Sequence, residues 1–191
     1  MEDLQTSSSV FPSNEQKTPT ILIVDDVPEN LRLLSTALSD VGYEVRNAIN
    51  GSVALMSAAL EPPALILLDV TMPKMDGFEV CRRLKAEAST AEIPVIFISA
   101  LGEVIDKVTA FEVGGVDYVT KPFQISEVLA RVNAQLELSR LREQLQSKNQ
   151  QLQICLEEQK RAEAQVRQLN LELEQRVTDR TQQLLMTNKT L

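Results

Sequence analysis

Asp25-Asp26, Asp69 and Ser99 each close a short apolar run, and Lys121-Pro122 follows Asp117-Tyr118-Val119-Thr120. If these runs are strands of one parallel sheet, their C-termini share an edge, where ligands collect. Three carboxylates, one hydroxyl and one ammonium at that edge make a site for a hard divalent cation and a phosphoryl group. Mg²⁺ keeps several waters and takes one or two protein carboxylates in octahedral geometry, which Asp25, Asp26 and Asp69 can supply. A cation there lowers the repulsion between Asp69 and a phosphoryl donor, permitting in-line transfer onto the carboxylate. The product is an acyl phosphate on Asp69. Lys121 suits one of its oxygens as a mobile point charge, and Ser99 offers a hydroxyl to another.

Taken singly, each residue has a plainer role. An Asp after a strand commonly caps the next helix, Ser99 could do the same, and Lys121 could be a solvated charge. The conjunction at four separate strand ends carries the functional reading.

Composition narrows the classes. The chain has 191 residues, is 43% hydrophobic and carries a net charge of −8. Ten Lys and Arg stand against nineteen Asp and Glu over residues 1–133, and nine against eight over 134–191, so the acidity belongs to the first part. A groove-reading DNA binder would show a basic stripe, and there is none, so no direct nucleic-acid contact is expected. The chain has no His, which excludes it as a histidine phosphodonor. Cys81 and Cys155 each stand alone, so a disulfide framework or zinc site is not expected and a reduced cytoplasmic compartment fits. Residues 1–19 are Ser/Thr/Pro/Gln-rich with Glu2 and Asp3 near the start. They read as a disordered, solvated tail, neither signal peptide nor membrane span, and no membrane partner is expected.

The elements that must position the site follow from patterning. Ile21 to Val24, Ala64 to Leu68 and Ile93 to Ile98 are all-apolar runs, as for strands buried on both faces. Tyr43 to Arg46 alternates as a more exposed strand, and Tyr118-Val119 makes the fifth. Between them, helices are expected from Pro28 to near Gly42, Val53 to Leu60, Phe78 to Leu84 and Val104 to Phe111, with Pro122 opening a last one. Five βα units predict an α/β fold, a flavodoxin-like doubly wound parallel sheet of order 2-1-3-4-5. Strands 1 and 3 then adjoin, bringing Asp25-Asp26 beside Asp69.

After Phe123 there is no Gly, Pro or aromatic residue. A 3-4 spacing runs through Leu138, Leu141, Leu145, Lys148, Leu152, Cys155, Gln159, Ala162, Val166, Leu169 and Leu173. One extra four-residue step carries it on through Val177, Thr181, Leu184, Asn188 and Leu191, a stutter that locally unwinds a left-handed supercoil. The last helix is therefore expected to run into a coiled coil over 136–191. An isolated apolar seam requires a partner. With no turn signal to fold it back as a hairpin, a parallel homodimer is the expectation. Lys148, Gln159, Thr181 and Asn188 are polar seam positions that lower stability and either fix register or are simply tolerated.

Residues 20–135 resemble a receiver domain of a two-component response regulator. The resemblance rests on Ile-Leu-Ile-Val-Asp-Asp (21–26), Leu-Ile-Leu-Leu-Asp-Val-Thr-Met-Pro-Lys-Met-Asp-Gly (65–77), Ile-Pro-Val-Ile-Phe-Ile-Ser-Ala (93–100) and Gly-Val-Asp-Tyr-Val-Thr-Lys-Pro-Phe (115–123). It implies that Asp69 accepts phosphate from a histidine kinase or phosphotransfer protein, with Asp25, Asp26 and the Thr71 backbone carbonyl helping to hold Mg²⁺. It implies a switch pair, Ser99 and Tyr118, and a cis peptide between Lys121 and Pro122. Lys107, Asp117, Glu127 and Arg131 match charges with which one branch of the family pairs receivers, although Leu138 falls where a further arginine is expected. Thr71 and Leu101 flank the site and are expected to tune hydrolysis.

No DNA-binding unit follows. Residues 173–184 resemble helical linkers preceding histidine kinase or nucleotide cyclase domains, so the chain reads as a fragment whose output domain is absent and not as an enzyme itself. The alternative is a stand-alone module whose coil binds a partner. An aspartyl-phosphate hydrolase of the haloacid dehalogenase type would need an Asp two residues after the nucleophile, where this chain has Thr71.

Overall fold

The three apolar runs become the middle of a five-stranded parallel sheet, and their side chains alternate between two buried faces. The computed structural model describes the backbone of residues 18–100 and 104–188, and the side chains of 18–100 and 108–182. Most of the N-terminal tail, Leu101 and the seam position Leu191 lie outside the described residues, as do the side chains of Lys107, Leu184 and Asn188.

The chain runs β1 (Thr20–Val24), α1 (Pro28–Asp40), β2 (Glu44–Ala48), α2 (Gly51–Leu60), β3 (Leu65–Asp69), α3 (Gly77–Ala86), β4 (Val95–Ala100), α4 (Val104–Glu112), β5 (Asp117–Lys121) and α5 (Ile125–Asn188). Strand order is β2-β1-β3-β4-β5, every pair parallel, as the sequence predicts for a flavodoxin-like sheet.

Alternation sorts the core into two layers. Leu22, Val24, Ile66, Leu68 and Phe97 face Ala54 and Ala58 of α2, Val80, Cys81 and Leu84 of α3, and Ala110 of α4. Ile21, Ile23, Leu67, Ile98 and Val119 face Leu31, Leu34 and Leu38 of α1 and Val128 and Val132 of α5. Packing on both faces explains why the chain is apolar from Ile21 up to Asp25 and from Leu65 up to Asp69. β2 lies at the edge and is the more exposed, with only Ala48 buried.

One expectation is corrected. Pro122 does not open the last helix: its peptide with Lys121 is cis, as the resemblance implied, and α5 begins at Ile125. The Gln124 carbonyl accepts the N–H of both Glu127 and Val128, so the first helical turn closes there. β4 also extends to Ala100, leaving Ser99 inside the strand rather than just at its close.

The chain divides into two units, one through Ser139 and one from Arg140. In the second, every described side chain from Arg140 to Gln182 is exposed on a continuous helix, including the apolar seam residues Leu141, Leu145, Leu152, Val166, Leu169 and Leu173. No helix among the described residues is long and apolar enough to cross a membrane.

Gly77 ties the fold to the site. Its N–H donates to the Val70 carbonyl at 2.9 Å, while Asp76 caps α3 by accepting the Glu79 N–H at 2.7 Å. A Cβ at position 77 would overlap the Asp69 carbonyl oxygen and meet Val70 Cα at 3.0 Å. Both obstacles are backbone and cannot rotate away. Gly77→Ala is therefore expected to cost about 1–3 kcal/mol in urea denaturation. A variant as stable as the parent would show that the strand end can shift at no cost.

Candidate functional site

The pairing of Val24 with Leu68 sets Asp25, just past the end of β1, beside Asp69, the last residue of β3. One carboxylate oxygen from each of Asp25, Asp26 and Asp69 lies within 4.8 Å of the others. Asp25 is fully buried, Asp69 is nearly so, and Asp26 is solvent-accessible. Lys121 reaches the group from the end of β5. Its Nζ lies 3.0 Å from Asp25 Oδ2 and 3.0 Å from Asp69 Oδ2.

Asp25 is locked from three sides. Its Oδ1 accepts the Val27 N–H at 2.8 Å, and its Oδ2 accepts Asn30 Nδ2 at 2.9 Å as well as Lys121. Burial raises the Asp69 carboxyl above its ordinary value, against the opposing hydrogen bond and charge of Lys121 and a backbone hydrogen bond from Thr71. For Lys121, burial acts to lower the ammonium, but the hydrogen bonds and charges of Asp25 and Asp69 outweigh it and the pKa is raised. The ammonium thus stays charged between two carboxylates.

The donor set fits a hard cation. All three groups are carboxylates, and no soft ligand stands among them. Two are pinned by protein partners while Asp26 remains accessible, which leaves a solvent-facing side for water and for a phosphoryl donor. Sequence reasoning missed Asn30. It sits on the first turn of α1, five residues after Asp25, and only the turn at Val27–Pro28 brings it back.

The other predicted residues are placed differently. Ser99 Oγ donates to the Ala100 carbonyl at 3.2 Å and so is turned to its own backbone. Tyr118 is half-buried, its ring edge-on to Phe111 with centroids 6.1 Å apart and planes at 84°. Thr71 is exposed beside Asp69. Arg131 binds both Asp117 oxygens through Nη1, at 2.8 and 2.9 Å, and Glu127 Oε1 through Nη2 at 2.9 Å. Three of the four charges read as an inter-receiver set are therefore joined within one chain.

Comparison with known proteins identifies the family. A family model described as response regulator receiver domain matches residues 21–133, more than half of the chain. The chain is 47% identical over 118 residues to the DNA-binding dual master transcriptional regulator RpaA of Synechocystis, covering 62% of this chain and 49% of that protein. It is 46% identical over 114 residues to the response regulator PleD of Caulobacter vibrioides, covering 60% of this chain and 25% of that one. The chain thus spans half or less of the length of these relatives. Among solved structures, it resembles a response regulator of Chloroflexus aurantiacus, with TM-score 0.61, 36% identity, and coverage of 63% of this chain and 99% of that one. It also resembles the receiver domain of a signal transduction histidine kinase from Syntrophus aciditrophicus, with TM-score 0.59, 36% identity, and coverage of 63% and 91%.

Proposed function

The chain belongs to the response regulator receiver domain family, and on that premise we propose that Asp69 is its phosphoacceptor, loaded by a histidine kinase or phosphotransfer protein. The observation that carries this is the meeting of an acidic cluster, open to solvent at Asp26, with the Lys121 ammonium, 3.0 Å from the Asp69 carboxylate. In the transfer, the donor's P–N bond breaks, a bond forms between phosphorus and an Asp69 oxygen, and the imidazole leaves as the neutral base after taking a proton. Asp25, Asp26 and Asp69, with the Thr71 backbone carbonyl, would hold Mg²⁺, whose charge offsets that of the incoming phosphoryl group. Lys121 holds Asp69 in place and stays to compensate the phosphoryl oxygens. Asp25, committed to Val27, Asn30 and Lys121, fixes the geometry.

Ser99 and Tyr118 form the readout. The Ser99 hydroxyl exchanges the Ala100 carbonyl for a phosphoryl oxygen, and the Tyr118 ring leaves Phe111 and turns inward behind it. The change then passes to α4, β5 and α5, where Lys107, Asp117, Glu127 and Arg131 re-pair between two copies, and through a parallel coiled coil to an output domain outside this chain. A histidine kinase or nucleotide cyclase fits the linker-like residues 173–184. The compartment we assign is the cytoplasm.

The test uses acetyl phosphate with and without Mg²⁺, read by intact mass. The expected result is a gain of one phosphoryl group, dependent on Mg²⁺, removed by hydroxylamine and confined to the peptide containing Asp69. Because the chain has no His, phosphohistidine cannot contribute to the signal. No mass gain, or a label resistant to hydroxylamine, overturns the assignment.

A further inference from the structure

The outer face of α2 is apolar and uncovered. Val53, Met56 and Leu60 share it at i, i+3 and i+7, with 40%, 72% and 87% of their surface exposed. Ile49, 61% exposed, lies just before the Asn50 cap at the start of the same helix. The opposite face of the same helix, Gly51, Ala54 and Ala58, is buried against the sheet. A helix apolar all round is normally covered on both sides. The charge pattern points the same way, since residues 47–60 contain no Asp, Glu, Lys or Arg, the longest such run in the chain.

We propose that the N-terminal segment of this same chain, residues 4–14, docks on the α2 stripe through Val10 and Phe11. Three observations select it over other occupants. First, residues 4–14 are the second-longest uncharged run in the chain, and with Leu4, Val10 and Phe11 they offer apolar groups whose burial strips no charge of water.

Second, the chain leaves the fold at the right place. The Pro19 carbonyl accepts the N–H of Glu44 at the start of β2. Two residues along β2, Arg46 donates to the Ser57 carbonyl on the last turn of α2 and lies 3.7 Å from the Glu61 carboxylate. The segment therefore emerges at the end of the sheet where Leu60 is exposed. The stretch from Thr18 back to Phe11 reaches ~23 Å, and α2 is only ~15 Å long.

Third, the patch is too small for a free partner. Four partly exposed side chains on each of two copies bury well under the ~1,200 Å² of a stable interface. A tether supplies an effective concentration near millimolar, so a small patch suffices for a segment already attached.

The chain has no Trp, so Phe11→Trp gives the full-length protein a single reporter. The expected result is Trp emission at shorter wavelength than a solvated indole, shielded from acrylamide and independent of protein concentration. Met56→Gln with Leu60→Gln, both at exposed positions, should abolish the shift and the shielding while far-UV circular dichroism stays unchanged. Emission typical of solvated indole in both proteins overturns the proposal. So does shielding that survives the α2 substitutions, which would place the segment elsewhere, such as the free edge of β2. Shielding that appears only as concentration rises, with an earlier gel-filtration peak, assigns the stripe to a second copy and equally overturns it.

Discussion

Asp69→Asn is expected to take no label from acetyl phosphate and, in metal-free buffer at neutral pH, to be more stable than the parent by about 1–2 kcal/mol. Loss of label follows from chemistry, since the amide has no carboxylate oxygen to attack phosphorus and Asp25 is fully buried with both oxygens committed. Label reappearing on Asp26 in the variant would show that the cluster, not Asp69, selects the acceptor. The gain in stability follows from burial, which raises the Asp69 carboxyl above 3.8 despite the opposing hydrogen bond and charge of Lys121. The folded chain keeps that proton over a range of pH where the unfolded chain has lost it. Stability of the parent therefore falls as pH rises from the unfolded value through the folded one. Asparagine has no proton to lose, so its advantage should be present at neutral pH and vanish below the unfolded carboxyl value. Thermal melts across pH with a chelator read this directly. A variant less stable than the parent at neutral pH would mean that pairing with Lys121 outweighs burial.

How much of this was legible in the sequence depends on where each interaction lives along the chain. Apolar runs leading to Asp25, Asp69 and Ser99 mark the three central strands, because a strand packed on both faces buries its side chains on both, and the five βα units supply the flavodoxin-like order and the shared edge. The starts of α1 and α4 fall where proline and spacing put them. The onset of α5 does not, since a proline marks a bend as readily as a first helical turn, and the Gln124 carbonyl that closes the turn carries no side-chain signal. Asn30 was invisible for a related reason. Its bond to Asp25 spans a tight turn, and an Asn on an exposed first turn reads as solvated. Arg131, Asp117 and Glu127 were legible as charges but not as partners of one another. Position alone cannot tell a contact within a chain from one between chains, and here the pairing is internal.

That internal pairing bears on the proposed dimer. Arg131 already has a bidentate partner, and the ordinary worth of a half-exposed ion pair is about 0–1 kcal/mol. Exchanging it for an equivalent pair across two copies gains little by itself. If receivers pair through this face, the gain must come from apolar groups that the switch rearranges, and Phe111, 51% exposed and edge-on to Tyr118, is placed to supply one. The proposed switch and the proposed interface would thus share the Phe111–Tyr118 contact, a route by which a phosphoryl group at the sheet edge would alter a surface on α4.

Lys121→Met is expected to cost about 3–5 kcal/mol at neutral pH in metal-free buffer, the scale of removing one partner from a buried charge pair. The methionine keeps the length and packing of the side chain, so the loss reads out charge and not a cavity. Without the ammonium, Asp25 and Asp69 face each other with no cation between them. The Asp69 carboxyl, already raised by burial, then loses the groups that oppose the rise. The cost should therefore shrink as pH falls, because protonating Asp69 removes the uncompensated charge. At the alkaline end the sign reverses. The parent's Lys121 has its pKa raised above 10.5 by the two carboxylates despite burial, so its contribution is complete below that value and lost as pH climbs through the folded one, whereas the variant has nothing to lose there. Combining Lys121→Met with Asp69→Asn should recover much of the stability, since the two sites share one interaction and cannot be additive. Additive effects in that double-mutant cycle would show that Lys121 stabilises the fold independently of Asp69. They would also remove the electrostatic basis for placing it beside the phosphoryl group.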